Sequence, residues 1–136
     1  MILDTSAVIS IIQREPGWQQ IRSQLEQANL LRISAGTLQE LLVVAHCRGV
    51  LDAVEELLLL LDADVVPVDE DLARRACQIF QRFGKGQGHG AQLNFGDCFA
   101  AALAEREQCP LACVGDDFRS PVSATISAPP GFKEFW

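Results

Sequence analysis

The sequence predicts an α/β domain: a doubly wound, mainly parallel sheet with helices on both faces would satisfy the pattern it shows. Four short apolar runs, each closed by a polar or small residue, read as buried strands. Each consecutive pair is separated by helical sequence long enough to return the chain parallel to its start, which is how a parallel sheet is built and covered. Right-handed crossovers follow from the same rule. The chain has 136 residues, 49% apolar and 21% charged. That is material for one core, so residues 1–136 are expected to form a single domain, with the tail 120–136 least tied to the pattern.

The runs are "MILD", "LLRISA", "DVVPVD" and "PLACVGDD". Between the first two, residues 5–28 carry "TSAVISIIQRE", a break at Pro16-Gly17, and "WQQIRSQLEQA"; proline and glycine there end one helix and let the next begin. Residues 36–61 carry "GTLQELLVVAHC", a break at Arg48-Gly49, and a leucine-rich helix whose Leu57–Leu61 run is most simply core, with a dimer seam as its other use. Residues 69–107 carry "DEDLARRACQIFQRF", a loop containing Gly84, Gly86, Gly88, Gly90 and Gly96, and the helix "GDCFAAALA". That loop lacks the Gly-Lys-Ser/Thr ending of a phosphate-cradling loop, so it reads as mobile chain beside a site. The tail holds one candidate edge strand and the aromatics Phe132, Phe135 and Trp136.

Eighteen acids against eleven bases leave a formal charge of −7, which repels a polyanion at long range. A nucleic-acid partner therefore requires a local arginine patch, a cation that cancels clustered acids, or a basic protein completing the surface. Cys47, Cys77, Cys98, Cys109 and Cys113 are an odd set without framework spacing. They read as reduced, mostly buried thiols, with Cys98 packed inside, in a cytoplasmic protein. "CPLAC" has no second ligand pair and is a poor zinc site. No run approaches the ~20 apolar residues that span a bilayer, and no signal peptide is expected.

The acids carry the chemistry. Asp4 ends the first strand, where open parallel sheets bind ligands, and is equally a good helix cap. Asp116 and Asp117 end the fourth strand; if the sheet has the common doubly wound order, strands one and four are neighbours where winding reverses, although "GDD" also suits a solvated turn. Asp97 stands three residues after Asn94 in a capping-box pattern, which explains it structurally and also aims it at the same sheet edge. Glu40 is a lone charge in "TLQELLVVA": either Thr37, Glu40 and Val44 make a solvated stripe, or Glu40 points toward the other acids. Such acids gathered without a cation would raise one another's pKa and destabilise the fold, whereas a hard divalent ion reverses the sign. His46 and His89 lack a partner spacing for a metal or catalytic pair.

At these residues the chain resembles the PIN domains, specifically the VapC branch of toxin ribonucleases. "MILDTSAVIS", "SAGTLQELLVV", "VVPVDEDLARRA", "FGKGQGHGAQLNFGDCFAAALA" and "GDDF" match in order and spacing from residue 1 to about residue 119. The resemblance implies that Asp4 and Asp97 are the principal metal ligands, that Glu40 completes the acidic cluster, and that Asp117 is its fourth member, with Asp116 beside it open to the same role. Thr5 and Ser6 fit the small polar pair after the first acid. After "GDDF" the chain reads "RSPVSA" and departs from the branch's usual "RTD". The implied activity is Mg²⁺-dependent endoribonucleolysis, with Mn²⁺ able to substitute; the implied partners are an RNA substrate, a cognate antitoxin and a second copy in a homodimer, with no membrane.

Of the bases Arg14, Arg48, Arg74, Arg75, Arg82, Lys85 and Arg119, Arg82 and Lys85 beside the glycine-rich loop are the foremost candidates for RNA contact. The competing function is a catalytically silent PIN-like protein-binding module whose acids are only caps and whose aromatic tail engages a partner. A phosphoryl-transfer receiver is a weaker third, because "LDTS" has no second acid two residues on.

Overall fold

The computed structural model describes residues 1–88 and 90–114. The elements come in the expected order: β1 (Ile2–Leu3), α1 (Thr5–Gln13), α2 (Trp18–Gln27), β2 (Arg32–Ser34), α3 (Ala35–Cys47), α4 (Leu51–Leu61), β3 (Asp64–Val66), α5 (Glu70–Phe83), α6 (Asp97–Glu107) and β4 (Leu111–Ala112). The chain breaks where sequence placed them. α1 stops at Arg14, which takes a left-handed conformation with φ 53° and returns its N–H to Ile11 and Ser10. Gly17, at φ 91°, then starts α2 from a backbone state that a residue with a Cβ rarely adopts.

The sheet order is β3-β2-β1-β4, and every pairing is parallel. The winding reverses between β1 and β4, which run in register with Ile2 opposite Leu111 and Leu3 opposite Ala112. Their carboxyl ends therefore open side by side, the juxtaposition that the acids at the two ends of the sequence required. The Asp4 N–H bonds the Ala112 carbonyl at 3.0 Å, carrying the pairing one residue past the strands.

Strand alternation divides the core into two. Ile2 and Leu111 join Leu72, Ile79 and Leu103 of α5 and α6 on one face. Leu3 and Ala112 join Val8, Leu25, Leu41 and Val54 of the first four helices on the other. Both faces are thus covered, as the two-layer requirement for a parallel sheet demands.

Three expectations are corrected. β3 is not a buried strand: Asp64 and Val65 are exposed because β3 lies at the edge of the sheet. The Leu57–Leu61 run is not all core, since Leu59 and Leu60 are 81% and 73% exposed while Leu57, Leu58 and Leu61 pack inward. The cysteines are not mostly buried either: Cys98 and Cys113 are, but Cys47 and Cys77 are exposed. Among the described residues no helix is long and apolar enough to cross a membrane. His89, Asp116, Asp117, Arg119 and the tail with its candidate edge strand lie outside the described residues.

Candidate active site

Three chain segments meet at the carboxyl edge of β1. Asp4 follows the strand and caps α1, its Oδ2 accepting the Ser6 N–H at 2.9 Å. The Ser6 hydroxyl donates to the same oxygen at 2.5 Å and accepts the Val114 N–H at 2.9 Å, tying the end of β1 to the chain just past β4. Asp4 Oδ1 is buried and has no hydrogen-bond partner among the described residues. Capping therefore uses one of the two carboxylate oxygens and leaves the other without a hydrogen-bond partner among the described residues.

An unpartnered buried carboxylate oxygen is costly. Burial, above all, pushes the Asp4 carboxyl up to about 6, the Ser6 bonds oppose that rise, and the Glu40 charge adds to it. Cys113, buried behind the same edge, has its thiol pushed well above the usual range by burial and by the charges of Asp4 and Asp97.

Glu40 sits in the middle of α3 and caps nothing. Its Oε2 accepts the Thr5 hydroxyl at 2.8 Å, and its carboxylate lies so close to Gly96 that a Cβ there would overlap it. The solvated stripe Thr37-Glu40-Val44 is ruled out, because Thr37 is fully buried; Glu40 turns instead toward the starts of α1 and α6.

Asp97 opens α6 in the capping box that the sequence announced. Its N–H bonds Asn94 Oδ1 at 2.9 Å and its Oδ2 accepts the Asn94 N–H at 2.7 Å, which satisfies two backbone donors reciprocally and fixes the carboxylate at the helix entrance.

Asp4, Thr5, Ser6, Glu40 and Asp97 line one cavity of about 260 Å³, together with Ile9, Glu15, Val44, Arg48 and Val114. Of the candidate site residues, the structure thus brings together Asp4, Thr5, Ser6, Glu40 and Asp97. Among the described residues no group of three acidic, imidazole or thiol side chains is drawn close enough to close on an ion. Arg82 and Lys85 are not part of this lining: Arg82 pairs with Glu105 at 2.9 Å, toward the far end of α6, and stacks over Phe83. Arg74 and Arg75 pair with Glu70 and Asp71 along the exposed side of α5.

Glu15 is the charged lining residue that the sequence reading did not name; Arg48 entered it only as one base among seven, and Gly96, which contacts Glu40, only as one of the loop glycines. For Gly96 the signal was its place directly before Asp97; Arg48 looked like any other base. An apolar groove of about 690 Å³, lined by Gly36, Val43, Val68, Phe95 and Phe99 among others, adjoins the cavity through Glu40 and Val44.

A parallel sheet with a cavity lined by Asp4, Glu40 and Asp97 beside its reversal point defines an α/β protein built around an acidic crevice. A family model described as "PIN domain" matches residues 1–121, and the chain belongs to that family. Ribonuclease VapC42 of Mycobacterium tuberculosis is 39% identical over 121 residues, covering 87% of this chain and 92% of that protein. Ribonuclease VapC30 of the same organism is 33% identical over 132 residues, covering 95% and 100%. In fold, the chain is similar to the crystal structure of Mycobacterium tuberculosis VapC20, a sarcin-ricin loop cleaving toxin, with a TM-score of 0.69 at 17% identity over 95% of this chain and 98% of that one. A toxin-antitoxin complex from Klebsiella pneumoniae gives 0.62 at 18% identity over 96% and 92%.

Proposed function

We propose that this chain is a divalent-metal-dependent endoribonuclease of the VapC kind, the toxin of a toxin–antitoxin pair, acting in the cytoplasm on RNA with Mg²⁺, for which Mn²⁺ can substitute. The observation that carries the metal reading is Asp4 Oδ1, a buried carboxylate oxygen without a hydrogen-bond partner among the described residues, on a residue that lines one cavity with Glu40 and Asp97. The donor set is all oxygen, which suits a hard divalent ion and not zinc.

Asp4, Glu40 and Asp97 would hold the ion, with Asp117 as a fourth acid and Asp116 as its neighbour. Those two follow Val114, itself part of the cavity lining, by two and three positions. A divalent ion supplies polarisation of a phosphodiester and of an attacking water, and neutralises charge that grows on the phosphate oxygens.

The chain's own residues supply the positioning. Ser6 ties down Asp4 Oδ2 and leaves Oδ1 without a hydrogen bond; the Thr5 hydroxyl holds Glu40; Asn94 holds Asp97. Thr5 and Ser6 also present hydroxyls beside the space a phosphate would enter, whereas Arg82 and Lys85 are left for more distant stretches of RNA.

Partners fit the remaining surface. The apolar groove beside the cavity and the exposed Phe95 offer a face that an antitoxin could cover, and Leu59 and Leu60 offer one to a second copy. A catalytically silent binding module accounts for less, because it gives no role to Glu40, which caps no helix, or to the unpartnered Asp4 oxygen.

The test is cleavage of RNA by the purified chain. Activity is expected with Mg²⁺ or Mn²⁺, none in EDTA, and none from Asp97→Asn, whose fold survives because Asn keeps the acceptor of the capping box. Full cleavage by Asp97→Asn, or by wild type in EDTA, would refute the reading.

A further inference from the structure

We propose that Arg48 is the residue that takes hold of an RNA phosphate at the rim of the acidic cavity, with Gln13 setting its direction. This rests on the ribonuclease reading and answers the question that a charge of −7 poses: where a polyanion can be gripped beside a cavity lined by Asp4, Glu15, Glu40 and Asp97.

The cations of the described chain are mostly spent on carboxylates. Arg22 pairs with Glu26, Arg32 with Glu107, Arg74 with Glu70, Arg75 with Asp71, Arg82 with Glu105, and Arg106 with Asp69. Of the described arginines, Arg14 and Arg48 alone have no carboxylate partner among the described ion pairs. Arg14 lies over the Trp18 ring at 5.8 Å. Arg48 lines the same cavity as Asp4, Glu40 and Asp97, and its Nη1 donates to the neutral Gln13 side-chain oxygen at 2.6 Å.

That bond fixes the guanidinium between the end of α1 and the end of α3 without neutralising it. A guanidinium carries five N–H donors in a planar fork. One is engaged by Gln13, so donors remain for a phosphate, whose oxygens match the fork. The exposure of Arg48 leaves it open to a chain crossing the rim. A cation here also offsets the repulsion that the cavity acids exert on an approaching phosphate, at a range where salt does not screen it away.

The test uses the full chain and a mixed-sequence, fluorescently labelled single-stranded RNA. Binding is read by anisotropy in EDTA at several salt concentrations, and cleavage kinetics in Mg²⁺. Arg48→Ala is expected to weaken binding and raise KM by about tenfold, the scale of a lost charged hydrogen bond, while kcat stays within about twofold. The slope of log affinity against log salt should fall by about 0.7, one phosphate contact on a single strand. Arg48→Lys should recover part of the binding and most of the slope, since it keeps the charge but loses the fork. Arg22→Ala removes an equal charge from α2 and should match wild type.

Arg48→Ala with the affinity, KM and salt slope of Arg22→Ala would overturn the assignment of Arg48 while the ribonuclease reading stands. Wild type that neither binds nor cuts RNA would overturn both. A lowered melting temperature of Arg48→Ala accompanied by an unchanged salt slope would also overturn it, since that is the mark of a purely structural arginine.

Discussion

Asp4→Asn is expected to abolish RNA cleavage and, in metal-free protein at neutral pH, to make the fold more stable than the parent. Asn keeps an oxygen for the two Ser6 bonds and removes the charge that Oδ1 shares with a buried, unpartnered position. The size of the effect follows from the carboxyl's displacement from 3.8 to about 6, which amounts to roughly 3 kcal/mol once the group is fully ionised.

The sign follows from proton binding. The folded state holds the Asp4 proton more tightly than the unfolded chain, so this contribution to stability is fully present below about pH 4 and is lost as pH rises through about 6. Urea titrations of parent and variant across pH 4–7 should therefore diverge by an amount of that order, less about 1–2 kcal/mol for the amide hydrogens left without acceptors. Adding Mn²⁺ should close the gap by stabilising the parent alone, through mass action on the folded state. Parallel pH profiles for the two proteins would contradict the burial of that charge.

Gly96→Ala is expected to lower kcat by about a hundredfold with no loss of stability. The backbone at Gly96 is ordinary right-handed helix, φ −66° and ψ −43°, so alanine meets no conformational strain; at a helix start it even removes chain entropy from the unfolded state. The Cβ, however, would overlap the Glu40 carboxylate. A carboxylate at the end of a flexible side chain moves away cheaply, and in moving it leaves the Thr5 hydroxyl and the cavity. Displacement by about 1 Å is enough for a loss on that scale when positioning carries the chemistry. Gly90→Ala, with nothing near its Cβ, is the matched control. Equal turnover by Gly96→Ala and parent would remove Glu40 from the site.

Most of the fold was legible in the sequence because its information is local. Strand runs, helix breaks at Pro16-Gly17 and Arg48-Gly49, and the Asn94–Asp97 capping box each depend on residues within a few positions of one another. Asp4 could be placed at the carboxyl edge of a sheet for the same reason. What sequence left open was decided by strand order. β3 became an edge strand, which exposed Val65, and the last leucines of α4 did not all find a partner surface.

The same holds in the site. Thr5 and Glu40 are far apart in the chain and meet only because α1 and α3 pack side by side. No periodicity marks Arg48 apart from the arginines that pair with acids; it lines the cavity, whereas Arg82 and Lys85, the bases nearest the glycine-rich loop, do not. Asp4 was ambiguous for a physical reason as well: a carboxylate has two oxygens, and here they have separate surroundings.

The central claim is that Asp4, Glu40 and Asp97 form one pocket that a divalent ion completes, and anomalous diffraction from crystals grown in Mn²⁺ tests it most directly. The account predicts a single anomalous site or an adjacent pair within coordinating distance of Asp4 Oδ1 and of the Asp97 and Glu40 carboxylates. Manganese bound only elsewhere, with Asp4 Oδ1 still unpartnered at saturating ion, would contradict it.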